Sequence, residues 1–342
     1  MADLSPLSRE LASASADPAA GVQPLVRWFE ALRASDVLSV GGKAASLGEM
    51  YGALADRGVR IPNGFATTVG AWDAFLDAPI AIESWAPVTE EARRLEPDVL
   101  RVGTLREALT RLFASIDPED SIDLHARAGL ARGLVSNTPV PREVERSLRL
   151  AHRKLSTEYT GEVDLAVRSS ATCEDSEIAS FAGQYESYLN VRGEEGVIDA
   201  WRKCCASAFT ERAIGYQLQR DMNPLEGRLG VVVMKMVRSD IATSGVLFTL
   251  DPDSGNRNVI HITSTYGLGE LVVQGRGREL PEGLAAPRPH TPRRRPRISV
   301  RRCRARFSRE RTVPIFTSRI SAHSAYDFLS SSQRATTRRS FS

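Results

Sequence analysis

The sequence has 342 residues, 42% hydrophobic and 25% charged, with a formal net charge of +3, which is ordinary globular composition with room for about two domains. No apolar run is long enough to span a bilayer, and the polar start "MADLSPLSRELASASADPAAG" lacks the apolar centre of a secretory signal, so a cytoplasmic protein with no membrane role is expected. The four cysteines, Cys173, Cys204, Cys205 and Cys303, form no C-x-x-C pair, which excludes a zinc ribbon or a disulfide framework.

Residues 1–24 read as disordered, and "LVRWFEAL" begins the ordered chain. "SVGGKAASLGEMYGALADRG" is a glycine pair and a lysine followed by a helical pattern, with Ala44, Leu47, Met50, Tyr51 and Leu54 on one face and Gly58 as C-cap. A short extended segment, "VRIPNGFATT", leads to a second helix capped by Thr67 or Thr68, with Trp72, Phe75 and Leu76 inward. Residues 85–160 read as mostly helical, broken at Pro87, Pro97, Pro118 and Pro139.

From there the periodicity changes. "VDLAVRSS" alternates as a strand and "ESYLNV" is another. "EEGVIDAWRKCCASAFTERAIGYQ" reads as one helix with Val197, Trp201, Cys204, Cys205, Ala208 and Phe209 inward. The strands "LGVVVMKMV", "TSGVLFTLD" and "NVIHITS" follow, the last two joined by the turn-rich "DPDSGNRN" as a hairpin. Hairpin-linked strands beside helices predict an α+β fold with an antiparallel sheet. After Gly275 the pattern stops. Residues 276–342 hold 17 arginines, no lysine and four acids, a net of +13 that leaves an acidic body. This tail cannot bury enough apolar surface to offset its ordering entropy, so it is expected to be disordered or to be the translation of a shifted reading frame.

Three clusters carry chemistry. In "GGK", Gly41 and Gly42 allow close backbone approach, and Lys43 at a helix start suits an anion. It is not a P-loop, because Ala44 follows the lysine and no glycine holds the first glycine position; the bland alternative is a turn with a solvated lysine. In "AVRSSATCEDSEIASFAGQ", Arg168 is expected at a strand end, with Ser169, Ser170 and Thr172 in the loop beyond. An arginine fork among hydroxyls suits a polyphosphate. In "TYGLGELVVQG", Glu270 and Gln274 offer oxygen ligands of the kind that hold Mg²⁺ on a nucleotide. His125 and His152 read as surface residues, and no Ser/His/Asp or metal-ligand constellation is present. The residues alone therefore support a Mg-nucleotide site without a complete reaction centre.

The segments "VGGKAASLGEM", "GVRIPNGFATT", "AVRSSATCEDSEIASFAGQYESYLNVRG", "MVRSDIATSGVLFTLDPDSG" and "ITSTYGLGELVVQG" resemble, in this order, the N-terminal nucleotide-binding domain of the phosphoenolpyruvate synthase (pyruvate, water dikinase) family, from Val37 to Gly275. Pyruvate phosphate dikinase and rifampin phosphotransferase share the domain type more distantly. The resemblance implies an ATP-grasp-like domain holding Mg-ATP between two lobes, a largely helical one over 25–160 and a sheet lobe over 161–275. It implies that Lys43 and Arg168, with Ser169 and Thr172 beside them, hold the phosphates. Glu270 and Gln274 would lie at the Mg²⁺ end, and Met234, Met236 and Val237 would line the adenine pocket through backbone groups. In the family a mobile histidine and a C-terminal barrel complete the transfer to pyruvate. Neither motif is expected within these 342 residues, so pyruvate would be reached only through other domains and the chain alone would not complete the reaction. Three alternatives stand beside this: a non-catalytic nucleotide-binding protein, a related dikinase or phosphotransferase such as pyruvate phosphate dikinase or rifampin phosphotransferase, and a nucleic-acid binder acting through the basic tail, the last disfavoured because aromatic residues are not interleaved there.

Overall fold

A computed structural model describes residues 24–54, 57–80, 85–117, 119–172, 175–176, 179–180, 186–248, 255 and 261–269. The strands in chain order are β1 Val26–Trp28, β2 Gly64–Thr67, β3 Leu165–Ala171, β4 Asp175–Ser176, β5 Ala179–Ser180, β6 Ser187–Val191, β7 Leu229–Lys235, β8 Thr243–Phe248 and β9 His261–Tyr266. The helices are α1 Val37–Val40, α2 Gly42–Leu54, α3 Val69–Leu76, α4 Ala86–Leu95, α5 Leu105–Ala114, α6 Ser121–Asn137, α7 Arg142–Glu158, α8 Gly193–Ser207 and α9 Glu211–Leu218. Mixed helices and antiparallel sheets make this an α+β chain, as its hairpin pattern predicts. The terminal stretches, including the basic tail, lie outside the described residues.

Packing divides the chain after Met236 into two compact units. The expected division at residue 160 does not match this, because β1 and β2 from before it join β3, β6 and β7 in one five-stranded sheet of order β1-β2-β7-β3-β6. In the second unit β8 and β9 pair antiparallel from Thr243↔Tyr266 to Phe248↔His261, the expected hairpin. They form a two-stranded sheet of their own.

Strand alternation gives the five-stranded sheet two differently covered faces. On one face Phe65, Leu165, Val167, Val231 and Val233 meet the helices, with Trp72, Phe75, Leu109, Leu134, Leu148, Trp201 and Phe209 in one buried cluster. Phe75 meets Trp201 edge-on at 5.2 Å and Trp72 stacks on Phe209 at 5.9 Å. The other face carries a small cluster of Phe29, Leu32, Val40, Ala44, Ala45, Ala66 and Val232. The Thr67 hydroxyl oxygen accepts from the Val231 N–H and from Trp201 Nε1, both at 3.1 Å, and so fixes α8 to β2 and β7.

Several local expectations are corrected. The single helix expected after residue 193 is two helices, because Thr210 starts α9 by accepting from the Ala213 N–H. Its inward set, from Val197 to Phe209, is buried as expected. In α2 the buried residues are Gly42, Ala44, Ala45 and Gly48, the last so close that a Cβ there would stand 2.3 Å from Leu32 Cβ; of the expected apolar face Leu47 and Tyr51 are partly buried against the small cluster, and Met50 is not part of it. Gly58 has φ +76°, and the Val59 N–H closes on the Leu54 carbonyl at 3.3 Å, the bond expected of a glycine C-cap. Pro87 does not break α4; it sits in its first turn, where the missing N–H costs nothing. Thr68 precedes α3 with cap geometry, but its hydroxyl donates to the Pro24 carbonyl at 2.8 Å instead of capping. His152 is not a surface residue; it is 7% exposed on α7, and its Nδ1 has no hydrogen-bond partner among the described residues.

Candidate functional site

Arg168 was expected at the end of a strand with hydroxyls in a following loop. It lies instead within β3, which continues to Ala171 and pairs with β7 as Arg168↔Val232, Ser169↔Val231 and Ser170↔Gly230. The alternation therefore decides which hydroxyl serves which face. Arg168 and Ser170 share the face of Val232, which packs with Val40 and Ala44. Ser169 pairs with Val231 and directs its side chain to the large core, where it is 1% exposed.

Helix α2 begins on the face of Arg168. Gly41 has φ +82°, and a Cβ there would stand 1.9 Å from the Ser170 carbonyl oxygen, so glycine is needed for contact with β3 rather than for a ligand. The Ala44 N–H donates to Ser170 Oγ at 3.0 Å in a buried bond, and Lys43 Nζ donates to the Ser169 carbonyl at 3.3 Å. Arg168 Nε donates to Ser187 Oγ of β6 at 3.4 Å. Lys43 thus bonds to the residue next to Arg168, and two cations gather where β3 meets α2. Their field is felt at the Cys204 thiol. Burial holds that thiol well above the usual range and Glu186 raises it further, while Lys43 and Arg168 act in the opposite sense. Cys204 is consequently a protonated core residue and not a nucleophile.

The remaining expected residues fall differently. Thr172 directs both its N–H (3.0 Å) and its hydroxyl (3.3 Å) to the Arg228 carbonyl, a structural role at the end of β3. Met234 lies on the Arg168 face, partly buried against Val232 and Ala44. The Met236 N–H donates to the Asp164 carbonyl at 2.8 Å and its sulfur accepts from the Asn190 N–H at 3.3 Å. Its amide is therefore committed within the sheet. Val237 opens the second unit, and its carbonyl accepts from the Ser239 N–H. Glu270 and Gln274 lie outside the described residues. Among the described residues no group of three or more His, Cys, Asp or Glu could hold a metal, and no helix is long and apolar enough to cross a membrane.

Two contributors were not in the expected set. Ser170 was quoted only as a loop hydroxyl, and its bond to Ala44 spans 126 positions, beyond any local pattern. Gly230 brings β7 against α1, since a Cβ there would stand 2.3 Å from the Val40 carbonyl. A lone glycine inside the valine-rich strand was its signal. A separate groove of about 410 Å³ runs along α7, lined by Arg142, Arg146, Arg149 and Arg153. Arg149 pairs with Glu145, Glu194 and Glu195 and Arg153 with Glu194, so much of its charge is balanced.

Comparison with known proteins gives a match to the family described as "Pyruvate phosphate dikinase, AMP/ATP-binding domain" over residues 37–313, running past Gly275, where the motif resemblance ends. The chain is 42% identical over 257 residues to a phosphoenolpyruvate synthase of Synechocystis sp., covering 73% of this chain and 28% of that protein. It is 40% identical over 255 residues to a phosphoenolpyruvate synthase of Escherichia coli, covering 75% and 29%. It is 37% identical over 265 residues to one from Pyrococcus furiosus, covering 73% and 31%. The chain thus spans less than a third of the length of the curated relatives it matches.

Proposed function

Since the chain belongs to the pyruvate phosphate dikinase AMP/ATP-binding domain family, we propose that it is the Mg-ATP-binding portion of a phosphoenolpyruvate synthase, which converts ATP, pyruvate and water to phosphoenolpyruvate, AMP and phosphate. The observation that supports this reading is that Lys43, at the start of α2, bonds through Nζ to the carbonyl of Ser169, the residue adjacent to Arg168 in β3. Phosphoryl transfer depends mainly on positioning and charge stabilisation, and a lysine point charge beside an arginine fork supplies both for a polyphosphate. When nucleotide arrives, Lys43 exchanges its carbonyl partner for phosphate oxygens, and Arg168 offers its fork from a strand held by β7. Mg²⁺ would neutralise the phosphate charge, with Glu270 and Gln274 the proposed oxygen donors.

An ATP-grasp-like architecture belongs to the same proposal, supported by the antiparallel sheet and the family match. So does the lining of the adenine pocket by Met234, Met236 and Val237. Met234 is the best placed of these, because it shares the Arg168 face. Ser169 would act through its carbonyl and Thr172 through the end of β3, not through their hydroxyls. Pyruvate would be reached through domains beyond this one.

Isothermal calorimetry on the full 342-residue chain tests the reading. Mg-ATP is expected to bind, and Lys43→Ala and Arg168→Ala are each expected to weaken binding by about 1.5–3 kcal/mol, the scale of a charged hydrogen bond. Affinity unchanged in both variants would remove these residues from the phosphate site.

A further inference from the structure

We propose that Ser170 is a positioning residue of the nucleotide site, setting the place of Lys43 relative to Arg168 by capping helix α2 from the neighbouring strand. The proposal rests on the nucleotide reading above and adds to it a residue that need not touch the ligand. A helix start leaves several backbone N–H groups without partners, and the usual remedy is a Ser, Thr, Asp or Asn immediately before it. Here the residue whose carbonyl accepts the first bond of α2, from the Ala45 N–H at 3.1 Å, is Gly41. No capping side chain fits there, because φ is +82° and a Cβ would enter the Ser170 carbonyl. The acceptor comes instead from β3, where Ser170 Oγ takes the buried Ala44 N–H at 3.0 Å.

The consequence is geometric. Three consecutive residues of β3 act on one place: Arg168 presents a cation, Ser169 holds the Lys43 ammonium through its carbonyl, and Ser170 fixes the first turn of α2. Ser170 is fully buried and β3 pairs with β7 through this stretch, so the strand is a rigid reference. Loss of the Ser170 hydroxyl leaves a buried N–H without a partner and frees the turn that carries Lys43. The two cations then no longer meet a polyphosphate at a fixed separation.

The test compares Ser170→Ala, the near-isosteric Ser170→Cys and the hydroxyl-keeping Ser170→Thr in the full chain, with and without Lys43→Ala. Hydrogen exchange at the Ala44 amide and Mg-ATP affinity are both read. The alanine and cysteine variants are expected to speed Ala44 exchange and raise the ATP Kd by roughly three- to thirty-fold, the range a lost cap implies, with threonine restoring both. In the Lys43→Ala background the same changes should move the Kd by less than about two-fold, because coupled residues are not additive. An equal loss of affinity in both backgrounds, or unchanged Ala44 exchange, overturns the proposal. If the unaltered chain binds no ATP while Ala44 still loses protection, the nucleotide reading falls with this role and only the cap survives.

Discussion

His152 shows how one side chain can be misplaced by its neighbours. Its surroundings on α7 are charged, yet it lies one position beyond Ala151 in the buried stripe Val144, Leu148, Ala151 and Leu155. Burial lowers its pKa below the ordinary 6.5; Glu194 and Glu162 oppose this and Arg153 adds to it. Among the described residues Nδ1 has no hydrogen-bond partner, and Nε2 has the Ser156 hydroxyl at 3.5 Å. A histidine whose folded pKa is depressed takes up its proton more readily when unfolded. Its contribution to stability is therefore complete above pH 6.5 and is lost as pH falls toward the folded value. Denaturant unfolding between pH 7.5 and 5.5 should show stability falling with acidity, and His152→Leu should flatten that slope. An identical slope in the variant would show that other groups set it. Glu194, held below its ordinary 4.5 first by its hydrogen bond to Arg153, acts in a more acidic window and does not confuse the comparison.

The elements themselves were largely legible. Alternation in "VDLAVRSS" located β3, the valine-rich run "LGVVVMK" located β7, and the apolar spacing around Trp201 located α8 and its buried face. Illegible were the contacts that join elements distant in sequence. The single-helix reading ran through Thr210 because a capping threonine and a mid-helix threonine look alike until the chain turns. Arg168 reads as a strand end because serines usually mark loops, whereas here Ser169 and Ser170 continue the strand, Ser169 turned into the large core and Ser170 Oγ accepting from the Ala44 N–H of α2. Thr67 shows such a joint in energetic form. Its hydroxyl accepts from both the Val231 N–H and Trp201 Nε1, so the near-isosteric Thr67→Val leaves two buried donors unpaired. The expected cost is about 2–4 kcal/mol, measurable by denaturant titration. A loss under about 0.5 kcal/mol would mean that the two donors find other acceptors.

At the scale of the whole chain, the two units differ in how their backbones are held. β7 is bonded on both sides, to β2 and β3, beneath the large core, whereas among the described residues β8 and β9 pair only with each other. Two-stranded sheets are marginal alone. Native-state hydrogen exchange should therefore find the β7 amides protected at least about a hundredfold more than those of β8. Equal protection would show that the units open as one. The order of the five-stranded sheet, β1-β2-β7-β3-β6, also has a consequence in time. The strand at its middle is the last of the five to be synthesised. At about 5–20 residues per second, the β1–β2 pair waits on the order of ten to thirty seconds before Leu229–Lys235 leaves the ribosome. During that interval β2, and later β3 once Leu165–Ala171 has been made, presents an edge that β7 will cover. Any pause in translation ahead of Leu229 prolongs the exposure, and the nascent chain is then at its most attractive to a chaperone or to another unfinished copy of itself.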